Sequence, residues 1–181
     1  MTTRISIMQP NPTLNLFYQR LTPRWRSNLR RMFHWTAHQL VDLGSLAQNL
    51  TIRGRCSVGR RIVPIAAIRG SESRVTDFDA AFRPCAQRLA ERWCSIAEAW
   101  QAGAPLPPVE LICVGDRYFV RDGHHRISVA ATFGALEIEA LVTVWEVDEP
   151  LPPAEAPAPA PALLPQHPAE GWIVQTAPGV P

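Results

Sequence analysis

Between Tyr118 and Arg126 the chain reads Tyr-Phe-Val-Arg-Asp-Gly-His-His-Arg, and this stretch concentrates the residues best able to do chemistry. A strand-like run ends, a glycine permits a sharp turn, and Ile127-Ser-Val-Ala-Ala-Thr-Phe133 continues as a short helix closed by Gly134. The first turn of a helix carries backbone N–H groups without intrahelical partners and the positive end of the helix dipole, a setting that favours an anion. Gly123 lets the backbone approach a ligand closely. Arg126 adds a forked guanidinium suited to phosphate oxygens. Asp122 has three open roles: capping the helix, orienting a histidine, or holding a metal that also binds phosphates. A plain turn with an aspartate cap is the structural alternative for the whole stretch. His124 and His125 are adjacent and point in different directions, so they do not ligate one metal together. One of them contacts a phosphate or serves as acid or base, and the other packs or caps.

A second loop upstream, Gly70-Ser-Glu-Ser-Arg-Val-Thr-Asp-Phe-Asp79, supplies the remaining candidates. Arg74 is a second phosphate contact, or a salt-bridge partner of the nearby aspartates. Asp77 and Asp79 straddle Phe78 and would face the same way in an extended stretch, as metal ligands or bases; solvation of the loop and capping before Pro84 are the alternative. His34 and His38 have helical i, i+4 spacing but no neighbouring Cys or carboxylate to complete a zinc site. The four cysteines contain no C-x-x-C pair and read as small core residues in a reducing compartment.

Elements that must position these loops can be read on both sides. Ile62-Val-Pro-Ile-Ala-Ala-Ile-Arg69 reads as a strand with an edge proline at Pro64. Pro84 opens an amphipathic helix whose stripe is Leu89, Trp93, Ile96 and Trp100, ended by Gly103. Val109–Val114 and Arg117–Arg121 form a hairpin around Gly115-Asp116, and Ile138–Val147 is the longest strand candidate. Strands and helices mix without strict βαβ alternation, so the expectation is an α+β domain with a mixed sheet over residues 62–149.

Charge and proline divide the rest of the 181 residues. Every one of the 18 basic residues is arginine. Residues 1–61 hold ten arginines against one acid, Asp42, a balance of +9; residues 62–181 hold eight arginines against 15 acids, a balance of −7. The first zone reads as a basic helical extension, with Thr22-Pro23 as a helix start and Arg20, Arg24, Arg26, Arg30 and Arg31 available to contact DNA phosphates. Docking of that basic face on the acidic domain is the intramolecular alternative. Residues 150–181 carry ten of the 18 prolines and read as a Pro/Ala-rich tail, extended or disordered, with a small apolar cluster at Trp172, Ile173 and Val174. The longest uncharged apolar run, Ile62–Ile68, is far short of the roughly 20 residues of a membrane helix. The first residues lack the apolar stretch of a signal peptide, so the expectation is a cytoplasmic protein with no membrane partner. The oligomeric state stays open, a homodimer included.

The run from Leu106 to Ala130, with its Pro107-Pro-Val-Glu-Leu strand, Gly115-Asp-Arg-Tyr-Phe-Val hairpin and Asp122-Gly-His-His-Arg126 loop, resembles the ParB/sulfiredoxin-like superfamily. The resemblance spans roughly residues 62–147 and includes the Gly70-Ser-Glu-Ser-Arg74 loop. It implies a ParB/sulfiredoxin-like mixed sheet with flanking helices. It also implies a nucleotide site in which Gly123, His124, His125 and Arg126 hold phosphates of CTP, ATP or ADP with Mg²⁺. Asp122 matches the aspartate seen before that loop in several branches. The reactive cysteine of sulfiredoxins is replaced here by His124, which argues against sulfinic-acid reduction. No helix-turn-helix sequence follows the loop, so operator recognition is not implied. A branch that phosphorylates free serine has a similar loop and takes its base from an acid in another loop, for which Glu72 is the candidate here; His124 is the other candidate acid or base. The implied functions are a nucleotide-binding module, with NTP hydrolysis or phosphotransfer in view, or a DNA-associated protein using the arginine-rich extension.

Overall fold

In the computed structural model, residues 11–21, 39–148 and 151 are described. In chain order the elements are α1 (Pro12–Arg20), β1 (Val41–Asp42), α2 (Leu43–Ala47), β2 (Ile52–Pro64), β3 (Ile68–Ser71), α3 (Ala90–Gln101), β4 (Val109–Val114), β5 (Arg117–Asp122), α4 (His124–Thr132) and β6 (Glu137–Val147). The six strands form one mixed sheet in the order β1-β3-β5-β4-β6-β2. The fold is thus a mixed sheet with helices, as the α+β expectation had it.

Alternation along the central strands explains the layering. Leu111 and Val120 point to one face, where they meet Phe17, Leu89, Trp93, Ala97, Ile127 and Val129 of the helices. Ile112, Val114 and Phe119 point to the other face and pack with Leu43 of α2 and Trp145. Burial on both faces is why β4 reads as a nearly continuous apolar run. The α3 stripe behaves as its spacing requires: Leu89 and Trp93 are buried, and Ile96 and Trp100 pack partly buried against the core. The helix itself starts later than Pro84, after a 3₁₀ turn at Gln87–Leu89. Trp93 Nε1 donates to Ser128 Oγ at 2.9 Å, which ties α3 to α4.

The division at residue 61 is corrected. β2 is an edge strand that begins at Ile52 and pairs antiparallel with β6 along its length, so Arg53, Arg55, Arg60 and Arg61 lie on a strand and not on a helix. Pro64 ends this edge strand, a position where its missing N–H costs no ladder bond. β2's charge finds acids across the ladder, in Arg60–Glu139 at 2.9 Å and Arg53–Asp148, while the Arg55 guanidinium lies 4.4 Å from the Trp145 ring. Helix α1 also belongs to the domain. Asn11 caps it by accepting from the Thr13 N–H at 2.9 Å, and Phe17 is fully buried edge-on to Trp93 at 5.6 Å. Within the zone read as a helical extension, the stretch from Leu40 to Leu50 is a two-residue strand and a one-turn helix. The four cysteines are free; Cys94 is buried, but Cys56 is exposed on β2 and does not serve the core. Among the described residues no helix is long and apolar enough to cross a membrane.

Two consequences are measurable. A chain cut to residues 62–149 loses α1 and most of β2, and is expected to show no cooperative urea transition. Phe17→Ala in the full chain should cost about 3–5 kcal/mol by the same measurement, as for other fully buried aromatics.

Candidate functional site

Three strand ends meet at one edge of the sheet. β3 and β5 run parallel with Ser71 beside Val120, so the loops that leave their carboxyl ends emerge together. β4 runs antiparallel to β5 with Glu110 opposite Asp122, which brings the preceding Pro107-Pro108 to the same edge. Sites in open sheets with parallel strands form at such carboxyl ends.

β5 passes into α4 through Gly123, whose φ of 102° lies in the left-handed region. A side chain there would be strained, and its Cβ would also stand 2.8 Å from Cβ of Val109. Gly123 contributes no side-chain cap, so no side chain accepts from the first turn of α4. His124 and His125 open this helix and are both buried. The Phe78 ring lies between them, stacked on His124 at 5.9 Å and edge-on to His125 at 5.2 Å. His124 Nε2 is 2.6 Å from Ser71 Oγ, and His125 Nε2 is buried without a hydrogen-bond partner. Burial, followed by the Arg74 charge, pushes both imidazoles from their ordinary 6.5 down to about 4. Each also faces a neighbouring cation or ring: His125 for His124, Arg92 for His125. Both histidines are therefore neutral at pH 7.

The other sequence candidates take more structural places. Arg126 does not stand free for a phosphate. Its Nη1 donates to the carbonyls of Pro107 and Pro108, the latter at 2.7 Å, and its Nη2 donates to Asp122 at 2.6 Å. Five donors in a planar fork suit backbone carbonyls as well as phosphates, and the proline pair lies within reach. Asp122 therefore has one carboxylate oxygen engaged, while its side chain stays two-thirds exposed. Glu72 pairs with Arg121 at 3.2 Å on the surface. Asp77 is buried and pairs with Arg88 and, at 3.4 Å, with Arg74, whose side chain remains half-exposed. Asp79 folds back on its own loop, accepting from Ala81 N–H, Arg83 N–H and Arg83 Nε. The two aspartates thus do not act as a pair. Among the described residues no three His, Cys, Asp or Glu side chains gather as a metal site. Arg20 is half-buried at the far end of α4, where it donates to Thr132 Oγ1 at 3.2 Å. Arg24, Arg26, Arg30, Arg31, His34, His38 and the Trp172 cluster lie outside the described residues.

Sequence reading missed Ser71 and Phe78. Ser71 Oγ accepts from the N–H groups of Ser73 and Arg74 at 3.2 and 3.0 Å, a serine turn that the Ser-x-Ser-Arg spacing after a strand could have signalled. Compared with family models, characterised proteins and solved structures, the chain matches none.

The buried neutral histidines set a pH dependence. The unfolded chain takes up these protons near pH 6.5 and the folded chain near 4, so unfolded protein binds more protons between them. Stability is fully present above pH 6.5 and should fall as pH drops towards 4, by at most about 1.4 kcal/mol per pH unit for each histidine. Urea midpoints across this range should show the fall, and His125→Leu should flatten it. Arg126→Ala leaves Asp122 and two proline carbonyls without their donor and should cost about 1–3 kcal/mol with no ligand present; Gly123→Ala should cost at least about 1–2 kcal/mol from the left-handed backbone alone.

Proposed function

We propose that the first turn of α4 binds the phosphates of a nucleotide, as the ParB/sulfiredoxin-like motif implies. The observation that carries this reading is the uncapped helix start behind Gly123, its N–H groups and dipole presented where three strand ends converge. The surrounding field has the matching sign. Arg74 is half-exposed beside the histidines, and Arg92 adds its charge on the α3 side. Arg126 serves this site by clamping the turn: it joins Asp122 to the Pro107-Pro108 carbonyls and so fixes where the helix begins.

Mg²⁺ fits such a site only in company with phosphates. Asp122 has one oxygen left over from Arg126, and among the described residues no further carboxylate completes a cage. The protein's own contribution is therefore binding and orientation. Glu72, held by Arg121, gives no support for turnover. Arg20, Arg53 and Arg60 are engaged within the fold, so nothing in the described residues favours the DNA-associated reading over this one.

Thermal shift and calorimetry with CTP, ATP and ADP, each with Mg²⁺, and with pyrophosphate test the proposal. At least one should raise Tm, and Arg74→Ala should weaken its binding by about tenfold, the scale of one charge-assisted hydrogen bond. Absence of any shift, or Arg74→Ala binding as tightly as the unaltered chain, would overturn it.

A further inference from the structure

The hydroxyl of Ser71 has one proton and two lone pairs. Both lone pairs are used by the N–H groups of Ser73 and Arg74. The proton then has two acceptors within reach, His124 Nε2 at 2.6 Å and the Val120 carbonyl at 3.4 Å. The carbonyl already accepts from the Glu72 N–H at 2.9 Å. The opposite assignment, with His124 Nε2–H donating to Ser71, would load three donors on an oxygen with two lone pairs. The short, unencumbered contact takes the proton. His124 Nε2 is thus an acceptor, and its ring proton sits on Nδ1.

We infer that Ser71 is a positioning residue that holds His124 as the neutral Nδ1–H tautomer, so that His124 serves the site as a hydrogen-bond donor to an ionised oxyanion, and neither as general base towards a bound ligand nor as metal ligand. A base or a metal ligand needs the imidazole lone pair, and Ser71 occupies it. The charged and titratable groups around the ring agree with a neutral donor. Arg74 and His125 oppose a second proton, while Asp122 and Asp77 favour it less strongly than burial and Arg74 disfavour it. The Phe78 ring stacked on the imidazole fixes its plane. The tautomer stands on the hydrogen-bond geometry alone; its use towards an oxyanion rests on the phosphate reading above.

The test uses the full chain labelled with ¹⁵N-histidine. A long-range ¹H–¹⁵N correlation at pH 7, with His124 assigned by comparison with His124→Gln, should show a protonated Nδ1 and a bare Nε2. An Nε2–H or imidazolium pattern overturns the inference. Ser71→Thr, which keeps the hydroxyl, should retain the pattern, and Ser71→Ala should lose it. Binding of sulfate, which does not titrate in this range, should be equal at pH 6 and pH 8 in the unaltered chain and in Ser71→Thr. In Ser71→Ala the burial and the Arg74 charge that keep the ring neutral remain, so the profile should stay level, but the ring is released to the other tautomer and sulfate affinity should fall by about tenfold at both pH values. Unchanged sulfate affinity in folded Ser71→Ala overturns the role given to Ser71. If the Nδ1–H pattern is found but neither sulfate nor pyrophosphate binds, the tautomer stands, and the donor role falls with the phosphate reading.

Discussion

Parallel pairing of β3 with β5 is the constraint on which the rest of the site depends. Antiparallel partners would send the two following loops to opposite edges of the sheet. In parallel, Ser71 and Val120 share a level, and the Gly70–Asp79 loop has to turn over the start of α4. Three contacts then follow from one register: Ser71 to His124, Phe78 between the histidines, and Arg74 close enough to depress both their proton affinities. The pairing is itself demanding, since β3 carries Gly70 where a Cβ would run into the Phe119 ring and the backbone of Val41.

Arg126 shows why residue type alone does not settle a role. A guanidinium in the first turn of a helix suits a phosphate, and the same fork geometry suits stacked carbonyls and a carboxylate four residues back. The choice is made by what the tertiary structure brings near, here the Pro107-Pro108 segment delivered by antiparallel β4. A proline pair gives up its N–H donors but keeps its carbonyls, and those need a donor from elsewhere. Arg126 thereby links the sheet edge to the helix start, and Arg74 is left as the half-exposed guanidinium beside the histidines.

Local signals were legible and long-range pairings were not. The β4–β5 hairpin, the glycine turn into α4 and the α3 stripe all follow from short periodicities and from turn residues, and each stands close to where those place it. The edge strand β2 was hidden because its residues alternate weakly; of thirteen, only Val63 is buried, and two glycines interrupt the pattern with register shifts. Its arginines looked like part of a basic extension, yet Arg60 and Arg53 pair with Glu139 of β6 and with Asp148 just after it, 79 and 95 positions later in the chain. Helix α1 is short, and it is seated by Phe17 against Trp93 and by side-chain hydrogen bonds to α3 and α4. Neither relation leaves a trace in composition. Ser71 was passed over because a serine at a strand end is common, and its partner lies 53 residues away.

The two histidines divide the labour that their adjacency implies. Successive residues on a helix point about 100° apart, so one ring can meet the β3 loop while the other turns towards α3. His124 is fully specified by Ser71 and Phe78. His125 carries a buried Nε2 with no partner, and burying a polar group in that state costs about 1–3 kcal/mol. Packing against Phe78 would be served as well by leucine at no such cost, so packing alone gives no reason for an imidazole at this position. The cost falls in the turn whose backbone N–H groups also lack a side-chain cap. The start of α4 thus joins a buried imidazole nitrogen to backbone N–H groups without a side-chain acceptor, and an anion there would complete the backbone half of that deficit.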